Sequence, residues 1–160
     1  MNAQSPAPPG LEYAFSIAIE LVPVRWIAPT AMGDTRGVVM AASGTVSGPK
    51  LSGRVIPMSG GDYALQRPNG VIDFDARYVL EADDGASIYV QNRGYRWART
   101  PEIAEQMARR QPVADSDYYM RVSPRFDAPA GPHEWLTKHV FIGIAKKLPT
   151  SNCIDYFQVL

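Results

Sequence analysis

The chain has 160 residues, 46% of them hydrophobic, and its sixteen basic and sixteen acidic side chains cancel. That length and composition fit one domain with a packed core and exclude a chain that is disordered throughout. A zero charge balance speaks against nucleic-acid and anionic-membrane binding, which both need a basic excess, and it leaves self-association unopposed, so a homo-oligomer is expected.

Residues 1–10, rich in Pro and Ala, lack the basic and apolar regions of a signal peptide and are read as a flexible arm ahead of a single domain spanning residues 11–160. Thirteen glycines and fourteen prolines punctuate short apolar runs, which is an all-β pattern. The first strand is predicted over Glu12–Leu21, with Tyr13, Phe15, Ile17, Ile19 and Leu21 on one face and Glu20 on the other. The second is predicted over Arg36–Val46. The turn Ser47-Gly48-Pro49-Lys50 leads into a third over Leu51–Met58. The fourth, Val71–Ala82, ends at Asp83-Asp84-Gly85, a hairpin turn, and the fifth runs over Ser87–Gly94. Thr100-Pro101-Glu102 reads as a helix start, with Thr100 as cap and an apolar stripe through Ile103 and Met107, placed over the barrel or at its opening. Strands six to eight are predicted over Asp117–Ser123, His139–Lys147 and Ile154–Val159, with a turn of helix around His133–Lys138. Eight antiparallel strands joined in sequence favour an up-and-down β-barrel, because closure removes the unpaired edges.

The candidate site follows from the strand period. Asp73, Asp75 and Arg77 share one face of the fourth strand, opposite Phe74, Ala76, Tyr78 and Leu80, and Tyr119 and Arg121 share a face of the sixth. If those polar faces line the lumen, Asp75 serves as general base, Arg77 or Arg121 holds an anionic substrate group, and Tyr119 is the acid or the donor to a developing oxyanion. If they face water, they are ion pairs and wall residues. Glu20, Asp62, Tyr63, Asp73, His133 and Trp135 are candidate substrate contacts: Asp62 after two glycines at a barrel mouth or in an Asx turn, His133 and Trp135 as a second mouth cluster or an end plug.

Two histidines and one cysteine, Cys153, are too few for a common zinc site, and no phosphate-cradling loop, dinucleotide fingerprint or Gly-x-Ser-x-Gly elbow occurs. No metal and no cofactor are therefore expected. The lone cysteine rules out an intrachain disulfide, no apolar run approaches the roughly 20 residues that span a bilayer, and a cytoplasmic location is expected. The partner implied is a small-molecule substrate or ligand, with no nucleic acid and no membrane.

Gly60-Gly61-Asp62-Tyr63, Asp75-Ala76-Arg77-Tyr78, Asp84-Gly85-Ala86-Ser87-Ile88-Tyr89-Val90, Tyr118-Tyr119-Met120-Arg121, Pro124-Arg125-Phe126 and Trp135-Leu136 resemble a bacterial and fungal family known as domain of unknown function 3237. The resemblance covers most of the chain beyond residue 35. It implies an antiparallel β-barrel and no established activity. The chain departs from the pattern at Tyr63, Met120 and Thr137, where the family carries Trp, Phe and Asn, and such changes reshape a pocket. Two functions fit the whole: a cofactor-independent lyase, isomerase or cyclase that moves a proton next to a carbonyl, or a lipocalin-like binding barrel without catalysis. A lumen lined by Asp75, Arg77, Tyr119 and Arg121 favours the first; one lined by Phe74, Tyr78, Tyr118 and Met120 favours the second.

Overall fold

The computed structural model describes residues 5–160. The strands, in chain order, are β1 (Leu11–Leu21), β2 (Arg25–Ile27), β3 (Thr35–Ser47), β4 (Gly53–Val55), β5 (Gly61–Asp62), β6 (Leu65–Gln66), β7 (Ile72–Ala82), β8 (Ser87–Ala98), β9 (Tyr118–Asp127), β10 (Phe141–Lys147) and β11 (Ser151–Val159). Helix α1 covers Pro101–Ala108 and α2 covers Trp135–Lys138. All pairings are antiparallel and follow the order β1-β11-β10-β9-β8-β7-β4-β3, and β3 pairs back onto β1. β5 and β6 lie, like β4, between β3 and β7, so the three pieces form one broken stave. The result is the closed eight-stave barrel that the sequence pattern predicts.

The differences from the predicted elements are local. The third strand is not continuous over Leu51–Met58: Pro57 has no N–H to give, Met58 takes φ 56°, and the stave resumes only at Gly61. A bulge between Tyr13 and Phe15 breaks the alternation of β1, so Tyr13 sits outside against Phe157, 5.7 Å between rings, while Phe15, Ile17 and Ile19 point in. β8 runs on to Ala98, four residues past its predicted end at Gly94. Of the predicted arm at residues 1–10, residues 1–4 lie outside the described residues; Ser5–Gly10 is exposed and irregular, and the Gly10 carbonyl accepts from the Leu160 N–H at 2.9 Å.

Every stave presents its more apolar face to the interior. On β7 this is Ile72, Phe74, Ala76, Tyr78, Leu80 and Ala82, and on β9 Tyr118, Met120, Val122 and Phe126. Turning Asp73, Asp75 and Arg77 inward instead would desolvate three charges, at several kcal/mol each, and expose the aromatics. The two ends of the barrel differ. At one end Phe126 packs edge-on to Phe141 at 5.3 Å, to Phe15 at 5.8 Å and to Tyr156 at 5.9 Å, and α2 lays Leu136 over them. Each fully buried ring of this kind contributes on the order of 1.5–3 kcal/mol, so this end is solid. The other end is open, and there the barrel holds a cavity. Among the described residues, no helix is long and apolar enough to cross a membrane.

Candidate functional site

The cavity begins among Tyr78, Asn92, Val122 and Ile154 in mid-barrel and opens between Trp26, Arg96, Arg110, Lys147 and the β10–β11 turn. Its inner and outer parts have cavity volumes of about 50 and 100 Å³. They overlap at Leu21, Val39, Asp62, Phe74, Met120 and Asn152, so they are one connected chamber.

Asp62 stands where the two parts meet. The glycines before it explain how it arrives there. A Cβ on Gly60 would lie 2.0 Å from the Arg77 carbonyl oxygen, and one on Gly61 2.3 Å from that of Val39. Only glycine lets this stretch wedge between β3 and β7, and the next side chain then enters the lumen. Asp62 Oδ1 accepts the Asp75 backbone N–H at 2.9 Å, which fixes the carboxyl but leaves most of its hydrogen-bonding capacity toward the cavity. Burial lifts its pKa to about 6; the Asp75 N–H and the positive charge of Arg96 hold it down, and the negative charges of Asp75 and Asp73 across the sheet push it up. Near neutrality both protonation states are populated.

The deep end is uncharged and polar. Tyr78 and Asn92 are 2% and 4% exposed. Asn92 Nδ2 donates to Tyr156 Oη at 3.0 Å, yet Asn92 Oδ1 and Tyr78 Oη here, and Asn152 Oδ1 nearer the mouth opposite Lys147, are buried without a well-formed hydrogen bond, although the two tyrosine hydroxyls are near enough to affect each other's ionisation. Burial pushes Tyr78 up to about 12, so it remains a neutral O–H donor. Buried polar atoms are seldom left unpaired, and three around one chamber mark a place for a ligand's own donors and acceptors or for water.

The open end is cationic. Arg96 and Lys147 point inward from the ends of β8 and β10, in step with Asn92 on β8 and with Ala145 on β10. Burial, reinforced by Arg96 and Arg110, lowers Lys147 to about 8, and burial also pulls Arg96 below its ordinary value. Arg110, with φ 57°, closes the end of α1 and donates from its guanidinium to the Pro149 carbonyl at 3.0 Å, strapping the helix to the β10–β11 turn.

The residues nominated from sequence are distributed otherwise. Asp62 alone lines the chamber. Asp75 and Arg77 lie on the outer wall and pair with each other at 3.2 Å; the Arg77 guanidinium holds the Asp75 carboxyl below the usual carboxylate range. Asp73 is tied to Arg67 at 2.8 Å. Tyr119 stacks on Trp97 at 5.6 Å, and Arg121 lies over the Tyr119 ring at 5.3 Å. Asp73, Tyr119 and Arg121 do meet, but in an open groove on the outside of the barrel with Arg93 and Tyr95. Glu20 and Tyr63 are exposed, and Tyr63 is held by its backbone, its carbonyl accepting from Arg36 and its N–H donating to the Asp75 carbonyl. His133 and Trp135 belong to the closed end, His133 on Asp84 at 2.9 Å and Trp135 against Phe141 under the Lys50 ammonium. The expectation that β7 and β9 turn their charged faces inward is therefore overturned, for the desolvation reason given above. Asn92, Arg96, Lys147 and Asn152 were missed. Asn92 was legible, since it shares parity with Ile88 and Val90, whereas Arg96 lay beyond the predicted end of its strand. Among the described residues, no three His, Cys, Asp or Glu side chains gather as a metal site requires.

The fold and chamber define a class: a closed antiparallel barrel, plugged at one end, with an acidic group midway along an internal cavity. The family model described as "Protein of unknown function (DUF3237)" matches residues 9–159, and the chain belongs to that family. It is 35% identical over 149 residues to a UPF0311 protein of Rhodopseudomonas palustris, covering 93% of this chain and 95% of that one. It is 24% identical over 154 residues, 96% of this chain and 86% of the relative, to a protein named hydroalkoxylation enzyme phnH of Penicillium herquei. Among solved structures, a conserved protein of unknown function from Rhodopseudomonas palustris superposes with TM-score 0.90 at 32% identity, over 98% of this chain and all of that one. A beta-barrel like protein from Acinetobacter baumannii superposes with TM-score 0.82 at 30% identity, over 98% and 99% of the two chains.

Proposed function

We propose that the chain is a cofactor-independent small-molecule enzyme that transfers a proton next to a carbonyl, and that the chamber around Asp62 rather than the outer wall is its active site. One observation carries the reading: a carboxyl with a pKa of about 6 shares a cavity with buried, unpaired polar atoms of Tyr78, Asn92 and Asn152. A general acid–base works best when its pKa is near the working pH, and an enolate needs a neutral donor held ready where charge develops. The relative named as a hydroalkoxylation enzyme supports this chemistry, since hydroalkoxylation adds an O–H across a carbon–carbon double bond.

With an enone acceptor the steps balance within one substrate. Asp62 as carboxylate takes the proton of the attacking hydroxyl, and the oxygen bonds to the β-carbon. The electrons of the double bond move to the carbonyl oxygen, which Tyr78 Oη–H stabilises. Protonated Asp62 then returns its proton to the α-carbon. Cyclisation of 2′-hydroxychalcone to flavanone is a convenient test. Turnover that yields one enantiomer in excess, and that Asp62→Asn reduces at least a hundredfold, supports the reading. A racemic product at the uncatalysed rate counts against it.

Non-catalytic ligand binding is the second reading, and the inward set of Phe74, Tyr78, Tyr118 and Met120 favours it. It expects tight binding of small aromatic ligands with no chemical change in any of them.

A further inference from the structure

We propose that the mouth of the chamber is an anion site, and that the substrate is a compact ring or apolar body carrying one anionic oxygen group, a carboxylate or an acidic enolate, held between Arg96 and Lys147. The inference rests on reading the chamber as a substrate site.

The arrangement of charge carries it. Arg96 and Lys147 line the same opening, both half-buried, with Arg110 behind them. Among the described residues, neither the Arg96 guanidinium nor the Lys147 ammonium makes an ion pair or a side-chain hydrogen bond, although eight ion pairs occur elsewhere. Asp62 is close enough to Arg96 to feel its charge but does not pair with it. Two neighbouring cations withdrawn from water without a counter-ion are unfavourable in the empty protein, and an entering anion relieves that penalty. Arginine offers a planar fork that takes two carboxylate oxygens, and lysine adds a point charge beside it. Between this end and Asn92 lie Phe74, Met120, Val39 and Leu21, which suit an apolar body. The chamber is thus graded along its axis: the cations at the rim, the Asp62 carboxyl and the apolar wall together midway, and Tyr78 and Asn92 at the floor. A substrate oriented by its anion at the rim places its middle against Asp62.

Calorimetric titration of the full chain at pH 7 with 2-naphthoate and with 2-naphthamide tests this. The acid is expected to bind at least tenfold more tightly than the amide. Arg96→Met and Lys147→Met should each weaken the acid at least fivefold and leave the amide within twofold, Arg96→Lys should restore part of the loss, and Asp62→Asn should tighten the acid. Equal binding of acid and amide, binding of neither, or variants that weaken both ligands alike overturn the proposal. The catalytic reading falls separately: an Asp62→Asn variant that still cyclises 2′-hydroxychalcone removes it while leaving the anion preference in place.

Discussion

Replacing Asp62 by Asn keeps an acceptor for the Asp75 N–H and deletes the charge. In the folded chain the Asp62 pKa is about 6 rather than 3.8, chiefly through burial. At about 1.4 kcal/mol per unit, ionising the carboxyl is about 3 kcal/mol harder in the folded than in the unfolded chain. The folded pKa is the higher one, so the penalty is absent below pH 3.8, where both states hold the proton. It grows from there to about pH 6, because the unfolded chain loses a proton that the folded chain keeps, and it is complete above. The difference in unfolding free energy between Asp62→Asn and the natural chain, followed by urea denaturation from pH 4 to pH 8, should therefore rise from about 0.6 kcal/mol toward a ceiling of about 3 kcal/mol in favour of Asn. Access of water through the open mouth lowers the ceiling and leaves the sign unchanged. Titrating groups that do not feel the Asp62 charge are common to both proteins and cancel. A difference that is flat with pH, or one that turns in favour of Asp as pH rises, would mean that the carboxylate is stabilised where it sits, and the case for a poised acid–base would fail.

Asp75→Asn breaks an exposed ion pair with Arg77, so it should change stability by less than about 1 kcal/mol in thermal unfolding and leave flavanone formation within threefold of the natural chain. Gly61→Ala sets a methyl group against the Val39 carbonyl; it should cost on the order of 1–3 kcal/mol and abolish 2-naphthoate binding measured by calorimetry in the protein that still folds. Lys147 is held down near 8, and a bound anion favours its charged form, so 2-naphthoate binding at pH 8 should draw in protons. Titrations in imidazole and in Tris, neither of them an anion, should then give different apparent enthalpies, and identical enthalpies would count against Lys147 at the anion.

The barrel was legible because its signal is redundant. Each stave repeats an apolar face, glycines and prolines mark the turns, and sequential antiparallel strands have few ways to close. The bulge at Tyr13 and the broken stave around Pro57 were not legible, since one extra residue or one missing donor leaves no mark on the period. The site was harder for a physical reason. A strand such as Asp73–Leu80 states which residues share a face but not which face is buried, and the sum over staves decides for the aromatic side. Polar groups inside the apolar lumen are then isolated residues on the apolar parity, such as Asn92 and Arg96, and a carboxyl introduced by a break in the wall, Asp62. The run Gly60-Gly61-Asp62 was the visible trace of that break. The charged stripe on β7 reaches the chamber only indirectly, through the Asp75 N–H that holds Asp62 and through its own negative field.

Solvent-deuterium incorporation at the α-carbon of flavanone formed in D2O, compared between Asp62→Asn and Asp75→Asn, bears most directly on where the chemistry lies. Stereoselective labelling retained in Asp75→Asn and lost in Asp62→Asn is the expected outcome. Labelling that survives loss of the Asp62 carboxyl and disappears with that of Asp75 would put the reaction on the outer wall and contradict an active site inside the barrel.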